Sequence, residues 1–168
     1  MNKVFKKTVY LTQAALIAAI YTVLTMIAAG FDLASGAIQV RFSEALTIMP
    51  FFSPAAIPGL TIGCLLSNIL TGCALPDIIF GTLATFLGAI GSYALRKNRF
   101  LCAVPPIVSN ALIIPFVLTY AYHIPGGVPL FMLTVGLGEL ISCMGLGQIL
   151  LQALLPFRGK LFGPDNMN

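Results

Sequence analysis

Long apolar runs, interrupted by short stretches rich in proline, glycine or charge, dominate this chain. Six of these runs could be membrane-spanning helices, and they cover residues 8–30, 40–52, 55–71, 78–95, 100–120 and 130–155. A bilayer core of about 30 Å needs about 20 helical residues. The second run is shorter than that and would need tilting, membrane thinning or shelter by its neighbours. The sequence leaves open whether it crosses completely.

The first run begins after Lys3, Lys6 and Lys7, as the apolar core of a secretory signal also would. Such a core usually has about 7 to 15 residues, and the run from Thr8 to Gly30 is longer. We therefore predict a retained transmembrane helix, with a cleaved signal peptide as the alternative.

Composition agrees with this pattern, because 58% of the 168 residues are hydrophobic, 8% are charged and the mean hydropathy is +0.98. A soluble domain usually carries about 25% charged residues. The sequence thus predicts an all-α integral membrane protein, with a single membrane-embedded domain over residues 1–168 that forms a bundle of six transmembrane helices.

The distribution of basic residues predicts which side each terminus occupies. If the N-terminus is cytoplasmic, six crossings place every basic residue except Arg41 on the cytoplasmic side, namely Lys3, Lys6, Lys7, Arg96, Lys97, Arg99, Arg158 and Lys160. Cytoplasmic connections are usually enriched in lysine and arginine. Both termini are therefore predicted to be cytoplasmic, and Arg41 is an exception that needs a local reason.

Five polar residues interrupt runs that otherwise consist of apolar side chains: Arg41, Glu44, Asn68, Asn110 and Glu139. An ionised group at the centre of a spanning helix costs about 2.5 to 3.5 kcal/mol, so it usually faces a partner or a wet cavity. Counted along the helices, all but Asn110 fall in the outer half of the membrane, with Arg41 and Glu44 within about one turn of its surface. The five residues are therefore candidates for an outward-facing binding pocket.

Structural roles remain alternatives for most of them. Arg41 and Glu44 are three residues apart and could simply pair with each other at the interface. Asn68 and Asn110 could provide hydrogen bonds that hold helices together. Glu139 stands in "VGLGELISCMGLGQ" with glycines on both sides and no basic residue nearby, which favours a functional role.

Other patterns in the sequence carry less information. Ala14 with Ala18, and Ala15 with Ala19, are small-xxx-small pairs that allow close helix packing.

The four cysteines have no C-x-x-C spacing, and no hydrolase, zinc or phosphate-binding motif is present. We therefore predict no enzyme activity, no metal and no cofactor. A membrane enzyme that uses Glu44, Asp77 and Glu139 is the alternative.

Two stretches resemble a known family. The segments "AALIAAIYTVLT" and "IQVRFSEALTIMPFFSPAAIPGLTIGCLLSN" are similar to those of QueT-type substrate-binding subunits, or S-components, of energy-coupling-factor (ECF) transporters. The resemblance implies a prokaryotic plasma-membrane protein that docks on a membrane coupling subunit with two ATPase subunits. It also implies docking through Ala14, Ala15, Ala18 and Ala19, and no role in nucleic-acid binding.

The ligand implied by this resemblance is a queuosine precursor or salvage base of the 7-deazaguanine type. A guanine-like edge presents adjacent N–H donors that a carboxylate can accept, and its carbonyl needs a donor. Glu139 or Glu44 would then accept from the donor edge, with Asn68 and Asn110 in amide contacts and Arg41 holding Glu44 or the carbonyl. An S-component for another vitamin, or a self-sufficient carrier driven by an ion gradient, remains the alternative.

Overall fold

The computed structural model describes residues 3–31 and 41–162, which form helices joined by short turns. No strand occurs within these two ranges. Four helical segments in them are long and apolar enough to cross a membrane: Val4–Gly30, Leu75–Ala94, Leu101–Tyr120 and Val128–Phe162. Many large apolar side chains on their outer faces are exposed, as lipid-facing residues are. The prediction of an all-α, multi-pass membrane protein is confirmed.

The first helix, α1 (Lys3–Gly30), packs closely against α2 (Ala56–Leu70). A Cβ atom added at Gly59 would lie 2.8 Å from the carbonyl oxygen of Ala14, and one added at Gly63 would lie 3.1 Å from the Cα atom of Ala18. These two glycines therefore allow the backbones to approach. Ala14 and Ala18 are buried in this internal contact.

The predicted docking residues therefore lie on two different faces of α1. Ala15 and Ala19 are exposed on its outer side, whereas Ala14 and Ala18 face α2. The expectation that all four form one docking face needs correction, because only Ala15 and Ala19 are accessible to a partner.

The second predicted run is not a regular transmembrane α-helix but a 3₁₀ helix over Phe42–Phe51. Its ten residues cover about 20 Å at about 2.0 Å per residue, where an α-helix would cover about 15 Å. Pro50 lies inside it and lacks the N–H group for a helical hydrogen bond. Most of its residues are buried between α1, α3 (Leu75–Ala94) and the last helical segment.

Residues 32–40, which connect the first predicted run to the second and include Val40 at the start of the second run, lie outside the described residues.

The next two helices form a hairpin in which two glycines of one helix contact two prolines of the other. A short 3₁₀ turn (Leu101–Ala103) leads into α4 (Val104–Tyr120), which packs on α3. A Cβ atom at Gly88 would lie 2.8 Å from the Cα atom of Pro106, and one at Gly91 would lie 2.5 Å from the Cβ atom of Pro105. The absence of a side chain at both glycines therefore sets the distance between α3 and α4.

The last segment is one continuous helix whose pitch changes. It consists of α5 (Val128–Glu139), a π-helical stretch (Leu140–Leu146), α6 (Gly147–Leu154), a 3₁₀ turn (Leu155–Phe157) and α7 (Arg158–Phe162). π-Helical turns are rare and are frequent at functional sites. Here the π-helical stretch begins directly after Glu139, one of the five polar residues singled out from the sequence.

The last described helix packs near the N-terminal half of α1. The side chain of Gln13 donates to the carbonyl oxygen of Leu161 at 3.0 Å and accepts from the hydroxyl of Ser53 at 2.8 Å. The rings of Phe52 and Phe162 stack with centroids 5.0 Å apart. The N-terminal half of α1 and the end of the last helix therefore lie at the same end of the bundle.

Candidate functional site

Two glutamates from distant parts of the chain meet inside the bundle. Glu44 lies in the 3₁₀ helix and Glu139 at the end of α5, and their side chains are only 2% and 6% exposed. A carboxylate oxygen of each and the thiol sulfur of Cys143 lie within 4.8 Å of one another. Buried carboxylates usually have hydrogen-bond partners or opposite charges nearby, so their surroundings decide what this cluster can bind.

Glu44 has one strong hydrogen bond and one vacant acceptor. The hydroxyl of Tyr21, in the middle of α1, donates to Oε1 of Glu44 at 2.5 Å. Its Oε2 atom is buried and has no hydrogen-bond partner among the described residues. Leaving a buried acceptor unpaired costs about 1 to 3 kcal/mol. An acceptor in this state suits a ligand that brings a donor.

Glu139 differs, because each of its oxygens already accepts one hydrogen bond. The amide group of Asn110, in α4, donates to Oε1 at 2.9 Å, and the thiol of Cys143 donates to Oε2 at 3.3 Å. The hydroxyl of Thr47 donates to the backbone carbonyl of Glu44 at 2.6 Å and lies 3.3 Å from the Cys143 sulfur. These contacts join α4, α5, the π-helical stretch and the 3₁₀ helix into one polar network.

The carboxylate of Glu44 is directed towards Tyr21 and Glu139. The side chain of Glu44 makes no hydrogen bond to Arg41 among the described residues, although the backbone N–H of Glu44 donates to the carbonyl oxygen of Arg41 at 3.1 Å. The positive charge of Arg41 interacts favourably with Asp77, Glu44 and Glu139 together.

Asn68 belongs to a separate polar group at the end of α2. Its amide group is 3.5 Å from the backbone carbonyl of Asp77 and 3.7 Å from the sulfur of Cys64. The hydroxyl of Tyr122 donates to the Asp77 carboxylate at 2.9 Å and accepts from the backbone N–H of Ala74 at 3.1 Å. This group joins the loop after α4 to the start of α3.

The ionisation of Tyr122 is consistent with its role as a donor in this group. Removal of its hydroxyl from water and the adjacent Asp77 carboxylate both raise the pKa of the Tyr122 phenol. The phenol therefore keeps its proton at neutral pH and can donate it to Asp77.

The structure thus brings together Glu44, Glu139 and Asn110, adds the charge of Arg41, and leaves Asn68 in hydrogen bonds with other residues. Sequence reasoning missed Tyr21, Thr47 and Cys143 as members of the network. A tyrosine at the centre of an apolar span was a usable signal, because a buried phenol needs a hydrogen-bond partner. Cysteine and threonine gave none, since both are common as small residues in membrane helices.

Two cavities in the described part of the chain are apolar and do not include the glutamates. One of about 490 Å³ lies between α3 and α4 beside Phe80 and Phe116, and one of about 360 Å³ lies between α1, the 3₁₀ helix and the end of the last segment. The side chains of Glu44, Glu139 and Cys143 are all buried. Glu44, Glu139 and Cys143 are also residue types that bind metal ions, so the absence of a metal site stays a prediction.

Comparison with known proteins identifies the family. A family model described as QueT transporter matches residues 11–156. The "Queuosine precursor transporter QueT" of Lactococcus lactis subsp. cremoris (strain MG1363) is 38% identical over 81 residues, which are 48% of this chain and 47% of that protein. The alignment thus spans about half the length of this relative, and no solved structure gave a significant match. Because the family match extends over most of the sequence, the chain belongs to the QueT transporter family.

Proposed function

We propose that the chain is the substrate-binding subunit of an ECF-type importer and that it captures a queuosine precursor or salvage base of the 7-deazaguanine type. The observation that carries this proposal is the buried pair of Glu44 and Glu139, with one vacant carboxylate oxygen, inside a member of the QueT transporter family. The name of the Lactococcus relative supports the choice of ligand class.

The chemistry of the cluster suits such a ligand. Carboxylate oxygens accept hydrogen bonds only, so they recognise N–H donors such as those on the edge of a guanine-like base. Hydrogen bonds to an ionised acceptor are shorter and about twice as strong as neutral ones. Three carboxylates, those of Glu44, Glu139 and Asp77, interact with the single guanidinium of Arg41. A ligand that carries a positive charge, such as an aminomethyl derivative, would improve this balance.

The orientation in the membrane is part of the proposal. We propose that both termini are cytoplasmic, so that the ligand enters from the outer side and is released through the coupling module. The distribution of the basic residues supports this orientation. The hydrogen bond from Gln13 to Leu161, which joins the N-terminal half of α1 to the end of the last described helix, is consistent with it.

Binding and transport by purified components test the proposal. The protein in detergent should bind an aminomethyl 7-deazaguanine in isothermal titration calorimetry, and adenine should give no heat of binding. Proteoliposomes should accumulate the ligand only when the membrane coupling subunit and both ATPases are present with ATP. Uptake by this chain alone would contradict the subunit assignment and favour a carrier driven by an ion gradient.

The exposed small residues of α1 give a separate prediction about the coupling subunit. Replacing Ala15 and Ala19 with leucine should prevent close approach of a partner helix. We expect copurification with the coupling subunit to fall severalfold, while ligand binding by the isolated chain is unchanged. Ala29→Leu is the matched control, because Ala29 is an exposed alanine near the other end of the same helix. Equal copurification of all variants would remove this face from consideration.

A further inference from the structure

Tyr21 connects the first helix to the acid cluster. Its side chain is 2% exposed, and its hydroxyl donates to Oε1 of Glu44 at 2.5 Å. The two residues belong to α1 and to the 3₁₀ helix, so this hydrogen bond fixes the glutamate relative to a different element from the one that carries it.

The position of Tyr21 is set by the close packing of α1 on α2. A Cβ atom added at Gly63 would lie only 2.8 Å from the Cβ atom of Tyr21. The base of the tyrosine side chain is therefore in contact with the α2 backbone and cannot move towards it. A phenol held in this way can hold the direction of the carboxylate to which it donates.

The hydrogen bonds leave one acceptor atom open. Of the four carboxylate oxygens of Glu44 and Glu139, three receive donors from Tyr21, Asn110 and Cys143. Of these four oxygens, only Oε2 of Glu44 has no hydrogen-bond partner among the described residues. A carboxylate oxygen can accept two hydrogen bonds, but at Oε2 of Glu44 a ligand donor would meet no donor that the protein already supplies.

We propose that Tyr21 is a positioning residue, which orients Glu44 so that its Oε2 atom accepts one donor of the bound ligand. This inference rests on the proposed function, because it assigns the contact within the same site. It assigns the ligand donor to Oε2, the one oxygen of the pair without a donor from the described residues. Tyr21 itself does not contact the ligand.

A double-mutant cycle on ligand affinity tests this role. Tyr21→Phe removes only the hydroxyl and keeps the ring, and we expect it to raise the dissociation constant of the aminomethyl 7-deazaguanine about tenfold. In a Glu44→Gln background the same change should alter the dissociation constant less than about twofold, because the two residues act through one contact. Tyr120→Phe, on the exposed end of α4, is the control and should bind as the wild type does.

A second variant keeps the test decisive if Tyr21→Phe fails to fold. Glu44→Asp retains the negative charge but withdraws the carboxylate from the phenol by one methylene. It should lose affinity by about the same factor as Tyr21→Phe. Size-exclusion chromatography establishes that each variant is folded.

The possible outcomes separate this inference from the proposed function. Additive effects of Tyr21→Phe and Glu44→Gln, or wild-type affinity in Glu44→Asp, contradict the positioning role while the proposed function stands. If the wild-type protein binds no 7-deazaguanine, the proposed function fails, and the inference that rests on it fails as well.

Discussion

Glu44→Gln is expected to raise the dissociation constant for a 7-deazaguanine ligand by about one to two powers of ten, since a hydrogen bond to a charged group contributes about 1.5 to 3 kcal/mol. Glutamine keeps an oxygen that can accept from Tyr21, so the fold should change little. It loses the charge and replaces the second oxygen with an amide group that cannot accept a ligand N–H. Titration calorimetry measures the affinity, and thermal unfolding in detergent measures the stability.

Glu139→Gln is expected to weaken binding for a related reason. The substitution removes one of the two carboxylates and turns an acceptor into a donor beside the Cys143 thiol, which itself donates to Glu139. The pair then keeps one carboxylate instead of two. We expect the loss of affinity to be similar to that in Glu44→Gln.

Asp77→Asn is the matched control for both substitutions. Asp77 is also a buried carboxylate near Arg41, but its hydrogen bond is to Tyr122 and not to the glutamate pair. It should reduce affinity much less than either glutamate substitution. An equal loss in all three variants would mean that recognition depends on net charge and not on the pair. Unchanged affinity in both glutamate variants would contradict carboxylate recognition altogether.

Gly63→Ala is expected to lower the free energy of unfolding by about 1 to 3 kcal/mol, the usual cost of overpacking a close contact. The new methyl group would lie 2.8 Å from the Cβ atom of Tyr21 and 3.0 Å from the backbone carbonyl oxygen of Ala18. Neither atom is the end of a flexible side chain, so α1 and α2 must separate. Thermal unfolding in detergent measures the loss.

Gly145→Ala provides the control for this prediction, because a Cβ atom at Gly145 meets no atom within 4 Å. It should leave the unfolding temperature close to that of the wild type. Equal unfolding temperatures for the two variants would contradict the close packing of α1 on α2. Because Gly63 also contacts Tyr21, Gly63→Ala should weaken ligand binding as well.

The class of the fold could be predicted from the sequence because hydropathy and length are direct consequences of the bilayer as a solvent. The helical pitch of the second predicted run could not be predicted from the sequence. An apolar run shows how deeply it is buried, but an α-helix and a 3₁₀ helix can bury the same residues. Pro50 was a sign that regular helical hydrogen bonds are interrupted there, although it did not specify the alternative.

Residues of the candidate site could be predicted from the sequence when their polar groups are costly to bury in a membrane. Residues whose burial costs little could not be predicted in this way. Glu44, Glu139 and Asn110 stood out for that reason, and the structure brings them together. Ala14 and Ala18 were ambiguous, because a small residue that allows docking of a partner also allows packing inside the chain. Their contact with α2 depends on Gly59 and Gly63, which lie about 45 residues further along the sequence.

The hydrogen bond between Tyr21 and Glu44 also bears on how the protein is made. Tyr21 precedes Glu44 by 23 residues, whereas Asn110 and Glu139 are synthesised later. When the segment with Glu44 leaves the ribosome, the helix with its phenol donor is already available, but the later part of the cluster does not yet exist. The first helix can therefore supply a partner for an acidic side chain during membrane insertion, before a ligand site has formed.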